Sequence, residues 1–198
     1  LIEIVTVLLL GVATVGSAWS AYQVSRWNGI ETEEARASAA IRIEASREYS
    51  LATQIVTYDS ATVSQYAAAV AADNQRLRDF LRSTLVRPGF LPVFESWEAQ
   101  VLAGQTPTNL LADEDYLGDL FAASEALDAD AADATVRGEI AGANGDDYIQ
   151  LTLFFASALF FAGITASFSN RLSKLILLTG AGVILAAAGV LLAGYPVA

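Results

Sequence analysis

The chain has no histidine, no cysteine and no methionine, one lysine and four prolines among 198 residues. Each absence closes a class of chemistry. Without imidazole or thiolate, the usual zinc, copper, haem and iron–sulfur ligand sets cannot be assembled, and disulfides and cysteine nucleophiles are excluded. Serine hydrolysis needs a base such as histidine or a well-placed lysine, and the lone Lys174 lies in a short link between two apolar runs. A His-Glu metalloprotease helix is excluded outright. An intramembrane aspartyl pair needs two carboxylates inside apolar segments, where Glu3 stands alone. Two carboxylates in the polar part could in principle act on glycans, but no spacing points to it. The expectation is a non-enzymatic protein with no cofactor and no metal centre.

What the chain does have is three apolar runs, one at the start and two back to back at the end. A helix needs roughly 20 apolar residues to cross about 30 Å of hydrocarbon. Residues 1–21, 148–168 and 175–195 meet that length, so the fold class expected is all-α: a polytopic membrane protein with three transmembrane helices. Residues 169–174 are then a tight turn. Residues 22–147 form a long insertion between the first and second spans. The stretch Ser20 to Asp147 holds 21 of the 22 acidic residues and 9 of the 11 basic ones, a net charge of −12. Such a surface repels nucleic acid and anionic headgroups and attracts cations or basic partners. Asp128, Asp130, Asp133, Asp146 and Asp147 are the carboxylates for weak cation binding through oxygen ligands, although their spacing is not that of a calcium loop. A solvated acidic face is the ordinary reading.

Orientation follows from Arg171 and Lys174, since basic residues of short loops are retained on the cytoplasmic side. These two are the topology-setting residues, and they place the insertion outside the cell's inner or cytoplasmic membrane. Trp19, Tyr22, Arg26, Trp27, Tyr148 and Tyr195 then fall at the outer boundary as membrane-interface anchors, with arginine able to stack on an aromatic face. Glu3 falls near the inner boundary, within reach of the basic turn.

Within the insertion, no proline and only Gly29 interrupt Trp27 to Arg87, a stretch rich in good helix formers. The pattern predicts a helix from Glu31 to Val86 with a bend at Asp73-Asn74. Its buried stripe is expected through Ile41, Ala45, Leu51, Ile55, Tyr58, Tyr66, Ala69, Leu77 and Phe80. Pro88 to Pro92 ends it, Phe90, Phe94 and Trp97 gather around a short helix at residues 93–103, and residues 104–109 form a loop. A returning helix starts near Asp113-Glu114-Asp115, where carboxylates favour the positive end of the helix dipole, and runs to about Gly142. Gly142 and Gly145 are expected to hinge it to the second span. The whole reads as a helical extracytoplasmic hairpin.

Small residues mark helix faces able to approach closely in lipid. Gly182, Ala186, Gly189 and Ala193 form such a packing face on the third span, and Gly11, Thr14 and Ala18 on the first. Ala158, Ala162 and Ala166 line part of the second. These faces serve packing within one chain or between copies.

Ala18-Trp19-Ser20-Ala21-Tyr22-Gln23 with Ser25-Arg26-Trp27-Asn28-Gly29 resembles the segment after the first span of a group of uncharacterised three-span bacterial integral membrane proteins. Leu153-Phe154-Phe155 through Phe160-Phe161-Ala162-Gly163-Ile164 is similar to their second span, and Tyr195-Pro196-Val197 to their C-terminal end. The resemblance covers the first thirty and last fifty residues, implies the same topology and carries no activity. The function expected is an oligomeric membrane scaffold or accessory subunit of an envelope complex, its partners the lipid bilayer and further copies or a larger membrane complex. The alternative is a homo-oligomeric cation channel, with Thr6, Thr14 and Ser17 lining a conduit below an acidic vestibule.

Overall fold

The computed structural model describes residues 2–110 and 113–198. It is all-helical among these residues: α1 (Ile2–Ala71), α2 (Gln75–Thr84), α3 (Leu91–Leu102), α4 (Glu114–Ile164), a 3-10 turn (Thr165–Ser167) and α5 (Arg171–Gly194). Three helices, α1, α4 with the turn that follows it, and α5, carry segments long and apolar enough to cross a membrane. The chain divides into two compact units, one comprising residues up to Ser38 and from Asp133 on, the other Ala39–Ala132.

The 70 residues of α1 contain no proline. Its hydroxyls, among them Thr14, Thr32, Ser46, Ser50 and Thr57, donate to the carbonyl four residues back and leave the ladder intact. The helix stops where Asp73 takes a left-handed φ of 49°. The amide of Asn74 then bonds to Ala69 O and that of Asp73 to Val70 O, the paired closure that satisfies terminal carbonyls. Asn74 in turn caps α2, its Oδ1 accepting from Leu77 N at 3.0 Å. The long helix expected to reach Val86 is therefore two helices. Pro92 sits in the first turn of α3, where its missing N–H costs nothing. Asp113 Oδ1 accepts from Tyr116 N at 2.9 Å and caps α4, with Glu114 and Asp115 in its first turn.

In the first unit small residues make up much of the interior and many large apolar ones lie outside it. Ala13, Ala158, Ala162, Ala181 and Ala188 are buried, while Leu8, Val15, Phe160 and Val190 point outward. Small residues let α1, α4 and α5 come close, and large apolar ones are left for an apolar surrounding, as expected where lipid rather than water is the solvent. Tyr148, Leu151 and Phe155 of α4 fill the centre against Ala13 and Ala188. A Cβ added at Gly16 would lie 2.5 Å from Phe155 Cε1, so this position admits only glycine without rearrangement.

Two expectations are corrected here. Gly142 and Gly145 do not form a hinge: α4 runs through both without a break. They are glycines because α1 is close, a Cβ at Gly142 meeting the Glu31 carboxylate at 3.1 Å and one at Gly145 meeting Asn28 Oδ1 at 2.9 Å. The turn between the last two apolar segments is also shorter than residues 169–174. Asn170 caps α5, so Arg171 to Lys174 already belong to its first turn.

The second unit packs an aromatic core of Tyr66, Phe90, Phe94, Trp97 and Tyr116 with Leu81 and Leu110. Tyr66 stands edge-on to Phe94 at 5.0 Å, and Phe90 lies 5.1 Å from Tyr116. The buried stripe of α1 here differs from the expected one. Ala45, Tyr66 and Ala69 are buried, but so are Ala52, Asp59 and Thr62, whereas Leu51 and Tyr58 are exposed, as are Leu77 and Phe80 on α2.

Candidate functional site

The second unit is built around two buried carboxylates. Asp59, on the inner face of α1, is completely enclosed. Isolated burial of a carboxylate is prohibitive unless it is paired and hydrogen-bonded, and Asp59 is both. Arg87, in the turn after α2, holds it in a two-pronged grip, with Nε 3.0 Å from Oδ1 and Nη2 on Oδ2. The Tyr116 hydroxyl donates to Oδ2 at 2.6 Å. The bond to Asp59 raises the pKa of Arg87, and burial, followed by the bond to Asp59, raises that of Tyr116. Tyr58 adds a tie from α1 by donating to Leu85 O at 3.0 Å.

The second carboxylate, Glu98 of α3, is held in the same way. Tyr66 of α1 donates to one of its oxygens and Arg82 of α2 to the other, while Arg82 also reaches Glu95 at 2.7 Å. Burial, then the Glu98 bond, pushes the Tyr66 pKa up to about 12. Each triad of carboxylate, arginine and tyrosine ties α1 to a later element. Both carboxylates have their oxygens occupied, and both tyrosines stay protonated donors.

Beside the first clamp lies a cleft of about 520 Å³ between the start of α3 and the start of α4. Pro92, Val93 and Leu120 supply its apolar surface, Arg87 and Tyr116 its base, and Asp115 and Asp119 an exposed rim. Sequence reading missed Asp59, Glu98 and this cleft. The legible signal was the spacing 52, 59, 62, 66, 69, a helical face that a charged residue at 59 makes hard to accept as buried.

In the first unit, the residues expected to anchor at an interface fall on neighbouring parts of α1, α4 and the C-terminal end of α5. Trp19 and Tyr22 are exposed with ring centres 5.8 Å apart, and Arg26 is exposed beside them in sequence. Trp27 is half-buried, and Tyr148 is enclosed, donating to Pro196 O at 3.1 Å and contacting the Tyr195 ring at 5.8 Å. The buried Gln23, missed from sequence, accepts from Ala198 N at 3.0 Å and so holds the last four residues against α1. A separate cavity of about 250 Å³ brings Glu3, Thr6, Thr165 and Lys174 together. Arg171 is exposed.

The small-residue faces lie mostly outside the core: Gly11, Thr14, Ala18, Ala186, Gly189 and Ala193 are exposed and Gly182 is half-buried. Packing within the chain is carried by Ala13, Gly16, Ala181 and Ala188 instead. Gly11 and Gly189 line one apolar groove of about 600 Å³ together with Trp19 and Phe155. Asp128, Asp130, Asp133 and Asp146 are exposed and Asp147 half-buried. Among the described residues no group of three or more carboxylates is arranged to hold a metal ion. The hydroxyls of Thr6 and Thr14 donate to Ile2 O and Leu10 O on their own helix.

No family model, curated protein or solved structure matches the chain.

Proposed function

We propose that this chain is a non-enzymatic, oligomeric membrane scaffold or accessory subunit of an envelope complex, with a helical ectodomain for protein contacts. The observation that carries this reading is the use of the buried ionisable groups. Asp59 and Glu98, carboxylates that a catalytic cleft would leave free to titrate, are consumed in two clamps with the half-buried Arg87 and the exposed Arg82. What the unit offers outward is shape, charge and exposed apolar side chains. In the first unit, small-residue faces on α1 and α5 remain uncovered by the chain itself, as an inter-subunit seam in lipid requires.

The ectodomain is placed outside the cytoplasmic membrane. Arg171 and Lys174 support this, because they sit in the first turn of α5, where the positive end of the helix dipole disfavours cations. Helix stability does not call for them there, and retention on the cytoplasmic side does. The aromatic cluster of Trp19, Tyr22, Tyr148 and Tyr195 supports a membrane boundary at the opposite end.

The test is extraction of the chain in mild detergent, native mass spectrometry, and reconstitution into planar bilayers. Multimers without ion conductance at any applied voltage are expected. A strictly monomeric protein overturns the scaffold reading, and a cation-selective current replaces it with a channel.

A further inference from the structure

The second unit carries two exposed surfaces of opposite character. One is the cleft between α3 and α4, apolar at Pro92, Val93 and Leu120 and rimmed by Asp115 and Asp119 one helical turn apart. Arg87 at its base does not neutralise the rim, because its guanidinium is committed to Asp59. The other is the outer face of α2. Leu77 is 41% and Phe80 54% exposed, and Arg76, exposed as well, lies one turn from Phe80 on the same face. The remaining arginines of this helix are engaged elsewhere, Arg78 toward Asp73 and Arg82 on Glu95 and Glu98. Asp79, exposed as well, flanks Arg76 one turn along, so this is an apolar face with the cation Arg76 at its edge.

We propose that the α2 face of one copy docks in the α3/α4 cleft of a second copy, Phe80 and Leu77 entering the apolar part and Arg76 meeting Asp115 and Asp119. This rests on the oligomeric reading above and names the contact through which the ectodomains meet. Charge complementarity at Arg76 selects the occupant: neighbouring acidic ectodomains repel one another, and this pairing sets Arg76 of the α2 face against the two rim carboxylates of the other copy, with Asp79 turned to the outside of the contact. The two surfaces of a single copy cannot satisfy each other, since the Arg82 bonds hold α2 against α3 and both surfaces stay exposed. The contact joins unlike surfaces, so each copy offers both halves, and repetition gives a ring or a row rather than a closed pair.

The absence of cysteine permits a direct test. One tagged population carries Ser83→Cys, one turn beyond Phe80; a second, differently tagged, carries Ser96→Cys on the cleft wall. The two are co-reconstituted in neutral-lipid vesicles and oxidised, with co-purification of the tags as an independent measure of oligomer. A crosslink between the two tags is expected, absent when Ile43→Cys replaces Ser83→Cys. It should be lost with Arg76→Glu in the first population or Asp115→Arg/Asp119→Arg in the second, and regained when both reversals are combined. Each variant's melting curve shows that it is folded. Co-purification without the crosslink overturns this docking and leaves the oligomer standing; absence of co-purification overturns the oligomer too. A crosslink indifferent to charge reversal overturns the Arg76 pairing, and with it the choice of occupant.

Discussion

At the residue scale, Asp59 shows how a charge can become part of a core. The pair with Arg87 is worth little against an apolar substitute, but removing one partner leaves the other buried and uncompensated. Arg87→Met is expected to destabilise the second unit by about 3–5 kcal/mol, and Tyr116→Phe, which removes one bond to a charged acceptor, by about 1.5–3 kcal/mol. Thermal melts of the two variants check the order. The tyrosines also set an alkaline limit. Tyr66 and Tyr116 have folded-state pKa values raised above the unfolded value, so their contribution is fully present below about pH 10 and is lost as pH rises through the folded-state values, about 12 for Tyr66. Melting temperature is expected to fall over that range, less steeply in Tyr66→Phe than in the parent. An equal slope would show that Tyr66 is not the group responsible. In the first unit, Gly16→Ala must displace the enclosed Phe155 ring and should cost about 1–3 kcal/mol, whereas Gly11→Ala meets nothing within 4 Å and should raise rather than lower the melting temperature of the separated chain.

At the element scale, glycine in a long helix has two meanings, and α4 contains both. Gly118 is exposed with open space around its missing Cβ. Alanine there should stabilise the helix by about 0.5–1 kcal/mol, because it loses less backbone entropy on folding. A Cβ at Gly145 would lie 2.9 Å from Asn28 Oδ1, so alanine there first has to turn the exposed Asn28 side chain aside and should stabilise less than alanine at Gly118. A hinge would respond differently, with alanine at Gly145 stiffening the helix and raising its melting temperature at least as much as alanine at Gly118. The same distinction explains why Gly142 and Gly145 read as a break from sequence: composition shows a helix-weakening residue, and only the neighbouring helix shows that closeness is what it supplies.

At the scale of the whole molecule, the proposed topology makes a prediction that does not depend on oligomerisation. Ala126 is exposed on α4 in the second unit, so Ala126→Cys gives a single accessible thiol in a cysteine-free chain. Labelling by a membrane-impermeant reagent is expected in intact cells whose outer layer is permeable to it. Labelling only after lysis would place the insertion in the cytoplasm and reverse the topology drawn from Arg171 and Lys174.

Sequence by itself determined the helical class and the three apolar segments, because length and hydropathy are properties of a local run of residues. The bend at Asp73-Asn74, the aromatic cluster of Phe90, Phe94 and Trp97 and the start of α4 were legible for the same reason, each resting on a cap, a proline or a short spacing. Which face of α1 turns inward was not. Burial of Asp59 and Ala52 in place of Tyr58 and Leu51 depends on Arg87 and Tyr116, 28 and 57 residues away from Asp59 in the chain. The side chain that neutralises a buried charge is invisible until tertiary structure brings it there. The cleft beside that clamp was decided at the same level, since its walls come from α3 and α4 and no single segment contains them.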